Sequence, residues 1–223
     1  MSGPRTLQFW FDYISHNAYL AWMQLPALAA RHGLTVEPIP VVFGAMLSHY
    51  GQVGPAELPA KSRWMLWNVL RKARTLGIPI APPASHPFNP LLPLRASCCT
   101  LTTAQRSDLV GRLFRATWAE GRAVSEPAVV EQVLREAGLP AGELMAQAAS
   151  EPVKLQLRRN TDEALAAGVF GVPTLRVDGE LFWGFDDFEW LEKFLSGHDP
   201  LPRDRGGLEA WTQIRPSVQR KKA

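Results

Sequence analysis

The sequence predicts an α/β protein in which a β-α-β opening and a β-β-α close flank a large all-helical insertion. Three observations carry that expectation. Residues 6–13 (Thr-Leu-Gln-Phe-Trp-Phe-Asp-Tyr) are an aromatic, β-rich run, and after a helical stretch a second strand-like run follows at 34–42. Near the other end, Asp178-Gly179 separates two short apolar runs, the signal of a two-residue hairpin. Between the two ends, residues 44–168 are almost entirely helix-periodic and punctuated by Pro and Gly. The expected division is a core of residues 1–43 and 169–198, a helical insertion of 44–168, and a C-terminal arm or flexible basic tail of 199–223.

From Asn17 the apolar residues Leu20, Met23, Leu25, Leu28 and Ala29 keep mostly to helical spacing. Pro26 predicts a kink in that helix, and Gly33 stands where a C-cap needs φ > 0. Pro38 and Pro40 push the second strand to a sheet edge or an irregular path, because proline donates no ladder bond. A β-α-β opening calls for a parallel pair with a right-handed crossover. In the insertion, residues 60–76 form a helix with Trp64, Trp67, Leu70 and Ala73 on one side. Residues 91–120 form a long apolar-periodic region with a break expected near Ser107-Asp108. Ser125-Glu126-Pro127 opens a further helix with Pro in its first turn, ending at Gly138. Asn160 to Ala167 are helical up to Gly168. Strands at 174–177 and 181–183 form the hairpin, and Asp186 or Asp187 caps a last helix through Leu195.

Bulk composition excludes several classes. With 46% hydrophobic and 20% charged residues the chain is globular rather than disordered. Its apolar runs are too often broken to span a bilayer. The opening Met-Ser-Gly-Pro-Arg-Thr lacks the apolar core of a signal peptide, which predicts a cytoplasmic location. Of 24 basic residues, Arg215, Arg220, Lys221 and Lys222 crowd the C-terminus; removing these four leaves 20 against 21 acids. The body is thus near neutral and carries no nucleic-acid footprint. Cys98 and Cys99 are too few for a zinc site, and a bridge between neighbours is strained. They are expected as buried structural thiols, and no metal is expected.

The chemistry gathers at two places. Ser15 ends the first strand where a helix begins, and no Cys-x-x-Cys stands there. Val172-Pro173-Thr174 is similar to the step at which a thioredoxin-like fold places a cis-proline beside its reactive position. Further carriers are Phe11-Asp12-Tyr13-Ile14-Ser15 with Tyr19-Leu20, residues 55–61 leading into Trp64-Met65, His86-Pro87-Phe88-Asn89-Pro90, residues 168–174, and residues 181–186. On these the chain resembles the 2-hydroxychromene-2-carboxylate isomerases and kappa-class glutathione transferases, within the DsbA-like thioredoxin superfamily, from about Gln8 to Leu195.

That resemblance implies a thioredoxin-like core and a glutathione cofactor lying across the cleft, its thiol at Ser15. It implies that Val172, before the cis-proline Pro173, pairs its backbone with the cysteinyl segment as a short strand addition. Lys61 corresponds to a lysine that contacts a glutathione carboxylate, and Asp186 to an acid that receives the γ-glutamyl ammonium. Gln52 stands where the family has Asn in a Gly-Asn-x-Pro-Pro segment. The physics agrees, since a helix N-terminus offers free N–H groups and a partial positive charge that favour a thiolate. Ser15 as a simple N-cap is compatible with the same position.

Four departures stand out. His16 replaces the proline that follows the serine, Gln52 replaces Asn, Asp187 replaces an Arg, and Asn68 replaces an Asp. His16 is a candidate acid/base beside the thiol; the alternative is a solvent-facing first-turn residue. The implied activity is a glutathione-dependent isomerisation of a conjugated aromatic keto acid, by reversible thiolate addition, rotation and elimination. Trp10, Phe43, Trp64, Phe88 and Trp67 are candidate walls for that small aromatic substrate. A kappa-like transferase or peroxidase and a non-catalytic glutathione- or peptide-binding protein are the alternatives. A homodimer is what the family suggests.

Overall fold

The computed structural model describes residues 5–202 and 206–218. Four strands form one mixed sheet in the order β2-β1-β3-β4, with β1 Arg5–Phe11, β2 Leu34–Pro40, β3 Thr174–Val177 and β4 Glu180–Trp183. β1 lies inside the sheet with one face wholly apolar from Leu7 to Phe11, whereas the other carries Thr6 and Gln8 before Trp10. Leu7, Phe9 and Phe11 are buried against helices, while Trp10 points the other way onto Val41 and Met46. It pairs parallel with β2 and antiparallel with β3, Phe9 lying opposite Pro38 on one side and Leu175 on the other. β2 is an edge strand, as its two prolines require. At the hairpin, Asp178 (φ 51°) and Gly179 (φ 88°) both sit in the left-handed region, the backbone of a type I′ turn.

The crossover helix α1 (His16–His32) runs unbroken through Pro26, which lies on its exposed side, and closes on Gly33 at φ 60°. The insertion contributes α2 Phe43–Tyr50, α3 Pro59–Leu76, α4 Leu91–Cys98, α5 Thr103–Trp118, α6 Pro127–Glu136, α7 Ala141–Ala149 and α8 Glu151–Ala166. After the hairpin come α9 (Phe188–Leu195) and a short α10 (Glu209–Thr212). The basic residues Arg220, Lys221 and Lys222 lie outside the described residues. No helix among the described residues is long and apolar enough to cross a membrane.

One buried apolar cluster continues from the sheet into the helices. Its hub is Phe114 of α5, with ring centroids 5.4 Å from Phe11, 4.8 Å from Tyr13 and 6.3 Å from Tyr19. Polar ties reinforce it. The Tyr13 hydroxyl lies 2.7 Å from Ser97 Oγ of α4, and Trp118 Nε1 of α5 donates to Tyr13 C=O at 2.8 Å. Asn160 Nδ2 of α8 donates to Pro40 C=O at 3.1 Å, and Thr161 Oγ1 accepts from Val42 N–H. These bonds satisfy backbone groups where β2 leaves the sheet.

Three expectations are corrected. The break in residues 91–120 falls at 99–102, not at Ser107-Asp108. Thr102 and Gln105 make a capping box, Thr102 Oγ1 accepting from Gln105 N–H and Gln105 Oε1 accepting from Thr102 N–H. Asp108 instead sits mid-helix, paired with Arg112 one turn on. Trp64 and Trp67 do not share the inner face of α3 with Ala73: they are 61% and 55% exposed, and Val69 joins Ala73 in the core. Asp187 does occupy the N-cap position of α9, but its carboxylate makes no capping bond: it accepts from Trp183 N–H instead, while Asp186 pairs with Lys72.

Asp12 is the buried acid of the fold, accepting from Ile14 N–H at 3.1 Å and from Phe43 N–H at 3.0 Å. Burial raises its pKa from 3.8 to about 7, the two backbone bonds opposing the rise. Between these values the folded protein holds a proton that the unfolded chain has released, so stability falls as pH rises through that window and levels off above it. Asp12→Asn should flatten this slope. Having one acceptor oxygen for two donors, it should also cost about 1–3 kcal/mol in acid, where Asp12 is protonated. Denaturant unfolding at pH values from about 4 to 8 reads both effects, and an unchanged slope would assign the dependence to another group.

Candidate active site

The turn between β1 and α1 sets the site. Ser15 is the N-cap of α1 with extended backbone (φ −93°, ψ 111°), and its Oγ accepts from Ala18 N–H at 3.2 Å. The N–H groups of His16 and Asn17 therefore open the helix with no carbonyl of their own to bind. Ser15 Oγ also donates to Val172 C=O at 3.3 Å, so the hydroxyl bridges the helix start and the segment that leads into β3. The Val172–Pro173 peptide is cis. Thr174 Oγ1 donates to Gly171 C=O and Gly184 N–H donates to Pro173 C=O, each at 2.8 Å, which pins Pro173 on both sides. Val172 is partly exposed, and its N–H donates to no group among the described residues.

Beside Ser15, the His16 ring packs edge-on to Trp118 at 5.7 Å and lies 6.5 Å from His86, whose own ring is 5.5 Å from Trp118. His16 Nδ1 is buried with no hydrogen-bond partner. The solvent-facing alternative is thereby removed. Burial lowers the His16 pKa to about 4, helped by the charges of His86 and Lys72, and burial lowers that of His86 as well. His16 is thus a neutral imidazole at physiological pH, able to give or take a hydrogen bond but not to supply a positive charge.

The remaining predicted residues are arranged less directly. Asp186 Oδ1 lies 2.6 Å from Lys72 Nζ of α3, and Lys72 also sits over the Phe185 ring at 5.6 Å. Asp187 Oδ2 accepts from Trp183 N–H at 2.8 Å. Gln52 is exposed just beyond α2, two residues after Tyr50, whose hydroxyl donates to Val169 C=O at 3.3 Å. Lys61 is exposed in the first turn of α3 and makes no ion pair among the described residues. Of the expected aromatic walls, Trp10 is buried in its own cluster and is corrected away, while Phe88 sits beside His86. Cys98 and Cys99 are free; burial pushes them up to about 12 and about 11, which keeps both as inert thiols. No cluster among the described residues could hold a metal ion.

Four contributors escaped sequence reasoning: Asp12, Lys72, His86 and Trp118. Asp12 had a signal, a lone carboxylate inside an apolar strand end. The other three lie 56 to 102 positions after His16, and only the packing of α3, α5 and the 84–90 loop brings them to it.

With that geometry in hand, comparison with known proteins is informative. Residues 6–196 match the DSBA-like thioredoxin domain, and the chain belongs to that family. It is similar to a 2-hydroxychromene-2-carboxylate isomerase of Sphingobium xenophagum, 29% identical over 86% of this chain and 98% of the relative. It is also similar to Glutathione S-transferase kappa 1 of Caenorhabditis elegans, 26% identical over 89% of this chain and 94% of the relative. A solved 2-hydroxychromene-2-carboxylate isomerase superposes with a TM-score of 0.79 at 28% identity, covering 86% of this chain and 95% of that one.

The state of His16 is directly measurable. Its ring resonances should remain those of a neutral imidazole from about pH 8 down to about pH 5 and move only near pH 4. Lys72→Met, which deletes a neighbouring cation, should raise that midpoint. Titration of His16 near the ordinary 6.5 would show that its ring is solvated.

Proposed function

We propose that this protein is a glutathione-dependent isomerase acting on a conjugated aromatic keto acid of the 2-hydroxychromene-2-carboxylate type. The observation that carries this reading is Ser15 at the N-cap of α1, its hydroxyl held between Ala18 N–H and Val172 C=O. A hydroxyl where the helix dipole and free N–H groups favour an anion suits a thiolate brought by a ligand. Similarity to the isomerase of Sphingobium xenophagum supports the reaction class.

The residues present fit glutathione. The Val172 N–H has no acceptor among the described residues and its C=O is held by one long bond, so a short peptide can pair with both. Asp186 is accessible to an ammonium, and Lys61 and Gln52 are exposed polar groups suited to a carboxylate and an amide. When bound, glutathione supplies a thiolate that adds reversibly to a conjugated carbon, so that a double bond becomes a rotatable single bond. Ser15 Oγ, relieved of its 3.3 Å bond to Val172, donates to the anion and keeps it deprotonated. The neutral His16 ring stands beside this anion and can exchange a hydrogen bond with the substrate's keto and enol oxygens as they interconvert. Trp118, fixed through Nε1 to Tyr13 C=O, backs the imidazole and excludes water from it.

Similarity to a kappa glutathione transferase supports a second reading, the same site with lasting conjugation to an electrophile. A cytoplasmic location and a homodimer belong to the first reading; sedimentation measures the latter.

Calorimetric titration with glutathione, together with ultraviolet absorbance of the bound thiolate, tests the site. Ser15→Ala should lose the thiolate signal and about 0.5–2 kcal/mol of stability with its N-cap. Ser15→Asp should keep the cap yet lose the thiolate, because its charge repels it. Turnover of 2-hydroxychromene-2-carboxylate but not chlorodinitrobenzene distinguishes isomerase from transferase. Binding with neither activity would favour a non-catalytic ligand-binding protein, and no binding at millimolar glutathione would sink the reading.

A further inference from the structure

The ion pair between Lys72 and Asp186 joins two parts of the chain that no sequence motif connects. Lys72 reaches from α3 with its side chain only 17% exposed, whereas Asp186 is 78% exposed. The ammonium rests over the Phe185 ring, and its charge bears on His16, beside Ser15. A sheltered cation next to the reactive end of α1 thus has its partner on the solvent side. An incoming ammonium can reach Asp186 far more easily than an incoming carboxylate can reach Lys72. Asp187 offers no substitute, since its carboxylate already accepts from Trp183 N–H.

We propose that this pair is a charge-exchange device through which the thiol ligand and the aromatic acid favour each other's binding. The inference rests on the glutathione-dependent reading above and adds a coupling of the two ligands and a carboxylate anchor to it. The α-ammonium of the γ-glutamyl group takes Asp186, and Lys72 loses its counter-ion in a half-buried position. The free Lys72 ammonium then receives the carboxylate of the aromatic acid, whose ring lies against the exposed His86 ring, itself backed by Trp118. With both ligands bound, each protein charge is again paired. Without the first ligand, the acid must compete with Asp186 for Lys72, so each ligand strengthens the binding of the other by the same factor.

The test uses chromone-2-carboxylate as a non-isomerising acid and S-methylglutathione as a ligand with no reactive thiol. Titration of the acid into the full chain should show affinity about tenfold higher with S-methylglutathione present than without it. The analogue lacking the γ-glutamyl amino group should bind without strengthening the acid. Lys72→Met should weaken the acid and give it the same affinity in both conditions, while Lys72→Arg should restore the difference; circular dichroism of both variants reports on folding. If S-methylglutathione binds and leaves the acid's affinity unchanged, or if the deamino analogue strengthens it equally, the exchange is wrong although the thiol site stands. If neither glutathione nor its S-methyl form binds, the exchange falls together with the reading beneath it.

Discussion

The four residues between β1 and α1 each bind in a different direction, and the site exists because of it. The Asp12 carboxylate holds the start of α2 through Phe43 N–H. Tyr13 holds α4 through its hydroxyl and α5 through its carbonyl. Ile14 N–H closes the turn onto Asp12, and Ser15 ties the start of α1 to Val172. Side chains in a close-packed interior occupy one arrangement at a time. Fixing this turn therefore fixes the approach of three insertion helices and the cis-proline segment together. An error of register in β1 would move Asp12 and Tyr13 to the wrong faces and dismantle all of these contacts at once.

Burial decides the electrostatics around Ser15. A protonated imidazole would be the strongest partner for a thiolate, and His16 is adjacent in sequence. Burial against Trp118 and the neighbouring Lys72 deny it that charge. Asp12 lies just behind the turn with its pKa raised by burial, which works against a negative charge there. What remains at the turn itself to favour an anion is the start of α1, joined by one hydroxyl that must turn from Val172 to reach it. The helix start is a fixed dipole that needs no reorganisation, which is the arrangement that stabilises charge most effectively where water is scarce.

The core was legible where local chemistry specified it. Asp178-Gly179 dictated its turn, Gly33 its cap, and Pro38 with Pro40 put β2 at an edge, all through backbone constraints that act within a few residues. Ser15 and Val172-Pro173 could be singled out because resemblance supplied the long-range link that spacing could not. Misreadings arose where tertiary contacts overrode local signals. Ser107-Asp108 looked like a break, but the Thr102–Gln105 capping box had already placed the helix start, and Asp108 was satisfied by Arg112. Helical spacing grouped Trp64 and Trp67 with Ala73, yet α3 turns Val69 and Ala73 inward and leaves both indoles exposed. Lys72 carried no signal, and His86 was marked only as part of a motif without a role, since their meaning lies in what sits opposite them.

The most instructive departure is Asp187. Read as sequence, an acid in place of an arginine suggests a pocket that repels a carboxylate. In the fold its charge is spent on Trp183 N–H, where it stabilises the turn out of β4. The adjacent Asp186 is neutralised by Lys72, a residue 114 positions earlier. The pocket therefore presents a compensated pair in place of two unopposed acids, and its net charge is governed by α3 as much as by the hairpin. On the proposed reading, recognition of the γ-glutamyl end and placement of the aromatic acid would be coupled through one lysine. A change at either Lys72 or Asp186 would then alter both, whereas Asp187 can vary only at the expense of the turn.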